Sequence, residues 1–80
     1  MDFREWKTLT MARLVEYAQR YPDKRVAIES IATKLQYLKA RDLAQFIFTL
    51  YMLSKDIREA AELIPSVDDV EKWLKSQEED

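Results

Sequence analysis

Residues 46–53 read FIFTLYML, a run of seven apolar or aromatic side chains interrupted only by Thr49. The run is too short to span a membrane, which takes about 20 apolar residues. It is also too apolar all round for a surface helix, which buries one stripe and exposes the other. A helix built on this run therefore needs a covering neighbour on almost every side.

Helical spacing divides this helix into two apolar faces. One face forms a stripe that extends beyond the run, and its members are Leu43, Phe46, Ile47, Leu50, Leu53 and Ile57. The opposite face carries Phe48 and Met52, four residues apart, with Tyr51 at its border and Gln45 beside it. Two interpretations stay open for this second face. Either other helices of the chain cover it, or it binds a protein partner.

The rest of the chain also shows helical periodicity, so the sequence predicts an all-α fold, a small single-domain bundle of four or five helices without a β-sheet. The chain has no Gly and no Asn, the residues that normally supply the positive φ of tight hairpins and helix C-caps. Boundaries are therefore expected at Tyr21-Pro22 and Ile64-Pro65, because a residue before proline is driven out of the helical region.

The first predicted helix covers residues 3–20, with Val15 in its apolar arc and Trp6 at the edge of that arc. A second helix begins behind Asp23 as its N-cap and ends near Leu38. A turn of residues 38–41 then leads into the third helix.

The third helix either continues to Ile64 or restarts behind a cap at Ser54 or Asp56. Ser66 is the expected N-cap of the last helix, and Asp68 and Asp69 fall in its electropositive first turn. Residues 1–77 are predicted to form the helical domain, followed by an acidic tail over 78–80.

Size and composition favour a chain that acts with a partner. A domain of 80 residues buries only about 60% of its unfolded surface, and this one has no Cys for disulfides and no His for the usual zinc sites. A partner protein or a second copy is the remaining way to add buried surface. The N-terminal stretch MDFREWKT lacks the apolar segment of a secretory signal, so we expect a cytoplasmic location without membrane association.

The sequence contains no catalytic signature. Without His or Cys, general acid–base and nucleophilic chemistry rests on carboxylates alone, and without Gly there is no phosphate loop or nucleophile turn. Asp68 and Asp69 are neighbours, but carboxylates at a helix start are far more often stabilising charges than cation ligands. We therefore expect no enzymatic activity, no cofactor, no metal and no small-molecule substrate.

Nucleic-acid binding is the alternative function, and the distribution of charge suggests it. Residues 23–41 carry a net charge of +3 within a chain of net charge −2. The basic residues concerned are Lys24, Arg25, Lys34, Lys39 and Arg41. The apolar spacing over residues 28–53 also resembles the two helices of a helix-turn-helix motif, in which Arg41 and Gln45 would reach base edges.

The sequence thus predicts a non-enzymatic protein–protein interaction module, either a homodimer or an accessory subunit of a larger assembly. That assembly could itself process nucleic acid. The residues expected to contact the partner are Phe48, Met52, Tyr51 and Gln45. The alternative is a helix-turn-helix-like DNA-binding regulator that uses the five basic residues.

Overall fold

The computed structural model describes residues 1–78, and within this range it contains helices and no β-strand, which confirms the all-α prediction. The four α-helices are α1 (Phe3–Arg20), α2 (Arg25–Gln36), α3 (Leu43–Asp56) and α4 (Val67–Glu78). Short 3-10 segments precede α2 and α3 and follow α3, at Pro22–Lys24, Ala40–Asp42 and Arg58–Leu63. In the described residues no helix is long and apolar enough to cross a membrane.

By its internal contacts the chain divides into two compact units, Phe3–Tyr37 and the residues from Leu38 onward. The first unit is a helical hairpin in which α1 packs against α2. The Lys7 ammonium, near the start of α1, donates a 3.5 Å hydrogen bond to the Gln36 carbonyl at the end of α2. This contact shows that the two helices run antiparallel, as expected when a short turn joins two packed helices.

Seven side chains of the hairpin are buried, and they are Trp6, Thr10, Leu14, Tyr17, Ile28, Ile31 and Leu35. The bounds predicted for α1 are confirmed, but two details of its apolar arc are wrong. Trp6, placed at the edge of the arc, is only 5% exposed and stacks on Phe3 with ring centroids 5.9 Å apart. Val15, placed within the arc, is half exposed.

The turn between α1 and α2 follows from the proline. Tyr21 has φ −123° and ψ 73°, outside the helical region, so the break predicted at Tyr21-Pro22 is confirmed. The N-cap prediction for Asp23 is wrong. Asp23 lies within the 3-10 segment, and α2 begins after Lys24 without a side-chain cap. The helix also ends at Gln36, two residues before the predicted end.

The second unit contains α3, α4 and two 3-10 segments. The segment Arg58–Leu63 packs on α3, and α4 contacts the segment Ala40–Asp42. The stripe predicted on α3 is buried at four positions, and these are Leu43, Phe46, Leu50 and Leu53. Beyond α3 the buried side chains are Ile57, Ala60, Leu63 and Trp73.

Of the two predicted continuations of α3, the uninterrupted helix to Ile64 is wrong, and the restart near Asp56 is correct in position but wrong in its cap. The helix stops at Asp56, because Ile57 adopts extended angles of φ −122° and ψ 97°. The six residues that follow form a 3-10 segment without a side-chain cap. Ser54 donates its hydroxyl hydrogen to the Tyr51 carbonyl at 2.6 Å, so this hydroxyl bonds back into α3 and does not cap a new helix.

The start of α4 agrees with the sequence. Ile64 is extended before Pro65, and the Asp69 N–H donates a 3.2 Å hydrogen bond to the Ser66 hydroxyl oxygen, so the predicted N-cap is confirmed. Because α4 includes Glu78, the helix extends one residue into the predicted tail. The other two tail residues, Glu79 and Asp80, lie outside the described part of the chain.

Candidate protein-binding surface

The side of α3 opposite its buried stripe is exposed, and we call it the outer face. Its residues are Ala44, Gln45, Phe48, Tyr51, Met52 and Lys55, all of them exposed. The exposed fraction is 65% for Phe48, 53% for Tyr51 and 46% for Met52. All four residues predicted to bind a partner lie on this face. The alternative interpretation, that other helices of the chain cover Phe48 and Met52, is wrong.

Helical geometry explains why the outer face stays exposed. Leu43 and Leu50 are fully buried and Phe46 is nearly so, which fixes the rotation of α3 about its axis. With 3.6 residues per turn, Phe48 must then project from the opposite side. Ile47 and Thr49, which lie between the two faces, are half-buried.

A contact that the sequence analysis missed holds the Tyr51 ring at this face. The Lys55 ammonium lies 5.4 Å from the centroid of the ring, within the range of a cation–π interaction. An aromatic residue followed by Lys four positions later is the spacing that brings two helical side chains together. The sequence therefore contained the signal for this pair.

The outer face differs from other exposed apolar positions of the chain. Within residues 1–78, no other helix presents three exposed large apolar side chains at spacings of three and four residues. Val26 is isolated on α2, Leu9 and Val15 lie on different sides of α1, and Val67 and Leu74 stand seven residues apart on α4. Isolated apolar residues are normal on a protein surface, whereas a contiguous apolar patch is characteristic of an interaction site.

The basic residues predicted for nucleic acid are divided between the two units. Lys24, Arg25 and Lys34 belong to the hairpin unit, and Lys39 and Arg41 belong to the second unit. Arg25 donates a 2.9 Å hydrogen bond from Nε to the Glu29 carboxylate, so this guanidinium already has an anionic partner. The other four remain candidates for phosphate contacts, with Lys24 half-buried and the rest exposed.

The connection expected between the two helices of the DNA-binding motif is longer than the sequence indicated. The sequence predicted a turn of residues 38–41, but residues 37–42 lie between α2 and α3, and the last three form a 3-10 segment. Arg41 and Asp42 therefore precede α3 instead of opening it. Gln45 and Phe48 are exposed on the helix, and Thr49 is half-buried and donates its hydroxyl hydrogen to the Gln45 carbonyl.

Residues 1–78 contain no group of three or more His, Cys, Asp or Glu side chains arranged to hold a metal ion. Asp68 is exposed and Asp69 is half-buried in the first turn of α4, where their charge stabilises the helix start. No known protein family, characterised protein or solved structure gives a significant match to this chain.

Proposed function

We propose that this protein is a non-enzymatic protein–protein interaction module and that the outer face of α3 is its binding surface. The observation that supports this function is the exposure of Phe48, Tyr51 and Met52 side by side on one helix. Aromatic residues and Met are enriched in the cores of protein interfaces, where a few large side chains carry most of the binding energy.

The energetics favour a partner on this face. Burying a large apolar side chain against a partner contributes about 1.5–3 kcal/mol of favourable free energy. Three such side chains are adjacent on this face, so a small contact area would bury all of them. The Lys55 contact limits the rotation of the Tyr51 ring, so less side-chain freedom is lost when a partner binds. As an accessory subunit, the protein would use this face to join a larger assembly.

A site-specific photo-crosslink tests the proposed surface. A photoreactive phenylalanine analogue at Phe48 is expected to give a discrete protein adduct in the native host, which mass spectrometry identifies. The same analogue at Val26 is the matched control, because Val26 is 83% exposed on a helix of the other unit. A Met52→Asp change should abolish the adduct at position 48.

The composition of the crosslinked adduct distinguishes the possible partners. An adduct of two copies of the chain identifies a homodimer, and an adduct with a different protein identifies an accessory subunit. Equal crosslinking at positions 48 and 26, or an adduct that persists after Met52→Asp, would remove the outer face as the binding surface. Circular dichroism of each variant shows whether the helices are retained.

A further inference from the structure

We infer that the partner segment for the outer face is an acidic amphipathic α-helix from a different protein, an inference that rests on the proposed function. The observation that carries it is a basic residue at each end of the apolar patch. Arg41 precedes Phe48 by seven residues and Lys55 follows it by seven. Both cations are exposed, and both lie in or directly before α3.

Phe48 and Lys55 lie almost on one line along α3, because seven residues of an α-helix complete nearly two turns. Arg41 lies in the 3-10 segment just before α3, and the twist of about three residues per turn there brings it to within about 20° of the same line. Each interval corresponds to about 10 Å along the axis, so the two cations bracket the patch at a separation of about 20 Å. Along this line the order is therefore Arg41, Phe48 and Lys55, with the aromatic side chain between the two basic ones.

The nearby carboxylates do not cancel this pattern. Asp42 and Asp56 are each one residue further along the chain than a cation, which places them about 100° around the helix. Asp42, Asp56 and Thr49 therefore lie along a different line on the surface of the helix, at the edge of the apolar patch. A helix seated over Phe48 therefore meets the cations before it meets the carboxylates.

The same charges disfavour a second copy of this chain as the occupant. In an antiparallel pair of α3 helices centred on Phe48, Arg41 of each copy lies opposite Lys55 of the other. In a parallel pair, each cation lies opposite its own equivalent. Both arrangements bring like charges together across an interface, which opposes association. A partner with carboxylates at the two ends of an apolar stripe replaces both repulsions by attractions.

A helix is the partner element that fits this surface. The backbone groups of α3 are hydrogen-bonded within the helix, so only its side chains are available for recognition. A ridge of side chains spaced at three and four residues packs best into the grooves of another helix, which presents anchors at the same spacing. The partner helix is therefore expected to carry apolar residues on one side and a carboxylate about two turns from its centre in each direction.

Fluorescence anisotropy with synthetic peptides tests the inference. The probes are labelled helical peptides of about 20 residues with one leucine stripe. They carry Glu, Gln or Lys at the two positions seven residues either side of the central leucine. A fourth peptide has the composition of the Glu probe, but its two Glu residues lie on the opposite side of the helix. We expect the Glu probe to bind about threefold to tenfold more tightly than the Gln probe, because it forms two exposed ion pairs.

The double variant Arg41→Glu/Lys55→Glu should invert the order, so that the Lys probe binds most tightly. A matched control, Lys24→Glu/Lys34→Glu, changes the net charge equally on the other unit and should keep the original order. Raising the salt above about 0.15 M should reduce the difference between the Glu and Gln probes, since screening weakens exposed charge pairs.

Four results would overturn the inference. If the Glu and Gln probes bind equally and both lose binding in Phe48→Asp, the surface binds helices without the acidic preference, and the proposed function survives. If the displaced-Glu peptide binds as tightly as the Glu probe, the attraction depends on the net charge of the peptide and not on where its Glu residues lie. If no probe binds, a helical partner is excluded, while the crosslink at Phe48 still tests the surface independently. A Phe48-dependent dimer in light scattering would make the occupant a second copy.

Discussion

Phe46 and Phe48 stand two residues apart on α3 and have opposite environments. Phe46 is 4% exposed within the buried stripe, and Phe48 is 65% exposed on the outer face. Two residues correspond to about 200° of rotation around a helix, so identical side chains so close in sequence project in nearly opposite directions. The first contributes to folding, and we propose that the second contributes to binding.

Truncating each phenylalanine to alanine should separate these two roles. Phe46→Ala is expected to lower the free energy of unfolding by about 3–5 kcal/mol, because it leaves a cavity among buried side chains. Phe48→Ala should change it by less than about 0.5 kcal/mol, as surface substitutions usually do. Urea denaturation followed by tryptophan fluorescence measures both. A large loss of stability in Phe48→Ala would show that this ring is buried in solution.

The sequence predicted the two faces of α3 correctly because the α-helical repeat of 3.6 residues per turn holds along the whole helix. It failed on α1 at Trp6 and Val15, whose positions lie near the boundary of the apolar arc. A helical wheel gives the angle of a side chain but not which neighbouring helix lies beside it. Trp6 is only 5% exposed and stacks on Phe3, and neither its burial nor this stacking follows from periodicity.

A helix end was predictable from the sequence only where a proline or a capping side chain is present. The two residues before proline leave the helical region, and the Ser66 cap forms the expected hydrogen bond. The end of α3 at Asp56 has no such mark, because neither proline nor glycine stands there. The break depends on Ile57, whose extended backbone accompanies a side chain that is only 1% exposed.

The segment after α3 shows why an apolar pattern alone did not identify its conformation. Ile57, Ala60 and Leu63 are buried and recur every three residues. This interval aligns side chains in a 3-10 helix, whereas an α-helix alternates intervals of three and four. Ala61 and Ile64 also suit an α-helical stripe, so the sequence is compatible with both conformations and tertiary packing decides between them.

The adjacent alanines Ala60 and Ala61 test this 3-10 register. Ala60 is fully buried and Ala61 is exposed. Ala60→Leu should therefore destabilise the fold by about 1–3 kcal/mol through overpacking. Ala61→Leu should stay within about 0.5 kcal/mol of the parent protein. Thermal and urea unfolding of both variants measure the difference, and equal effects would contradict the assigned register.

At the scale of the whole molecule, charge is distributed unevenly along the chain. Residues 1–37 contain seven basic and five acidic side chains, and residues 38–80 contain six and ten. The net charges are therefore +2 and −4. The excess of acidic residues in the part that contains α3 opposes the approach of an extended polyanion such as DNA, whose phosphates carry one negative charge per 1.7 Å of duplex. A short helix with two carboxylates placed at Arg41 and Lys55 differs from DNA, because its negative charge is confined to those two cations.

This charge balance leads to a prediction about DNA. The full chain should show no binding to a short duplex at about 0.15 M salt, with a dissociation constant weaker than about 100 μM. Arg41→Glu should leave this result unchanged. Anisotropy of a labelled duplex, measured across a salt series, provides the check. Duplex binding that weakens steeply with salt and is lost in Arg41→Glu would instead support the helix-turn-helix-like regulator.

No residue in the described part of the chain has a positive φ, and the sequence contains no glycine. Every turn is therefore built from backbone angles that any residue with a Cβ atom adopts without strain. In a systematic substitution experiment, no position should then be intolerant because its backbone demands glycine. Apart from changes to proline or glycine and the loss of the Ser66 cap, a map of tolerated amino acids along this chain would report mainly side-chain packing and partner binding, without positions where only glycine fits the backbone.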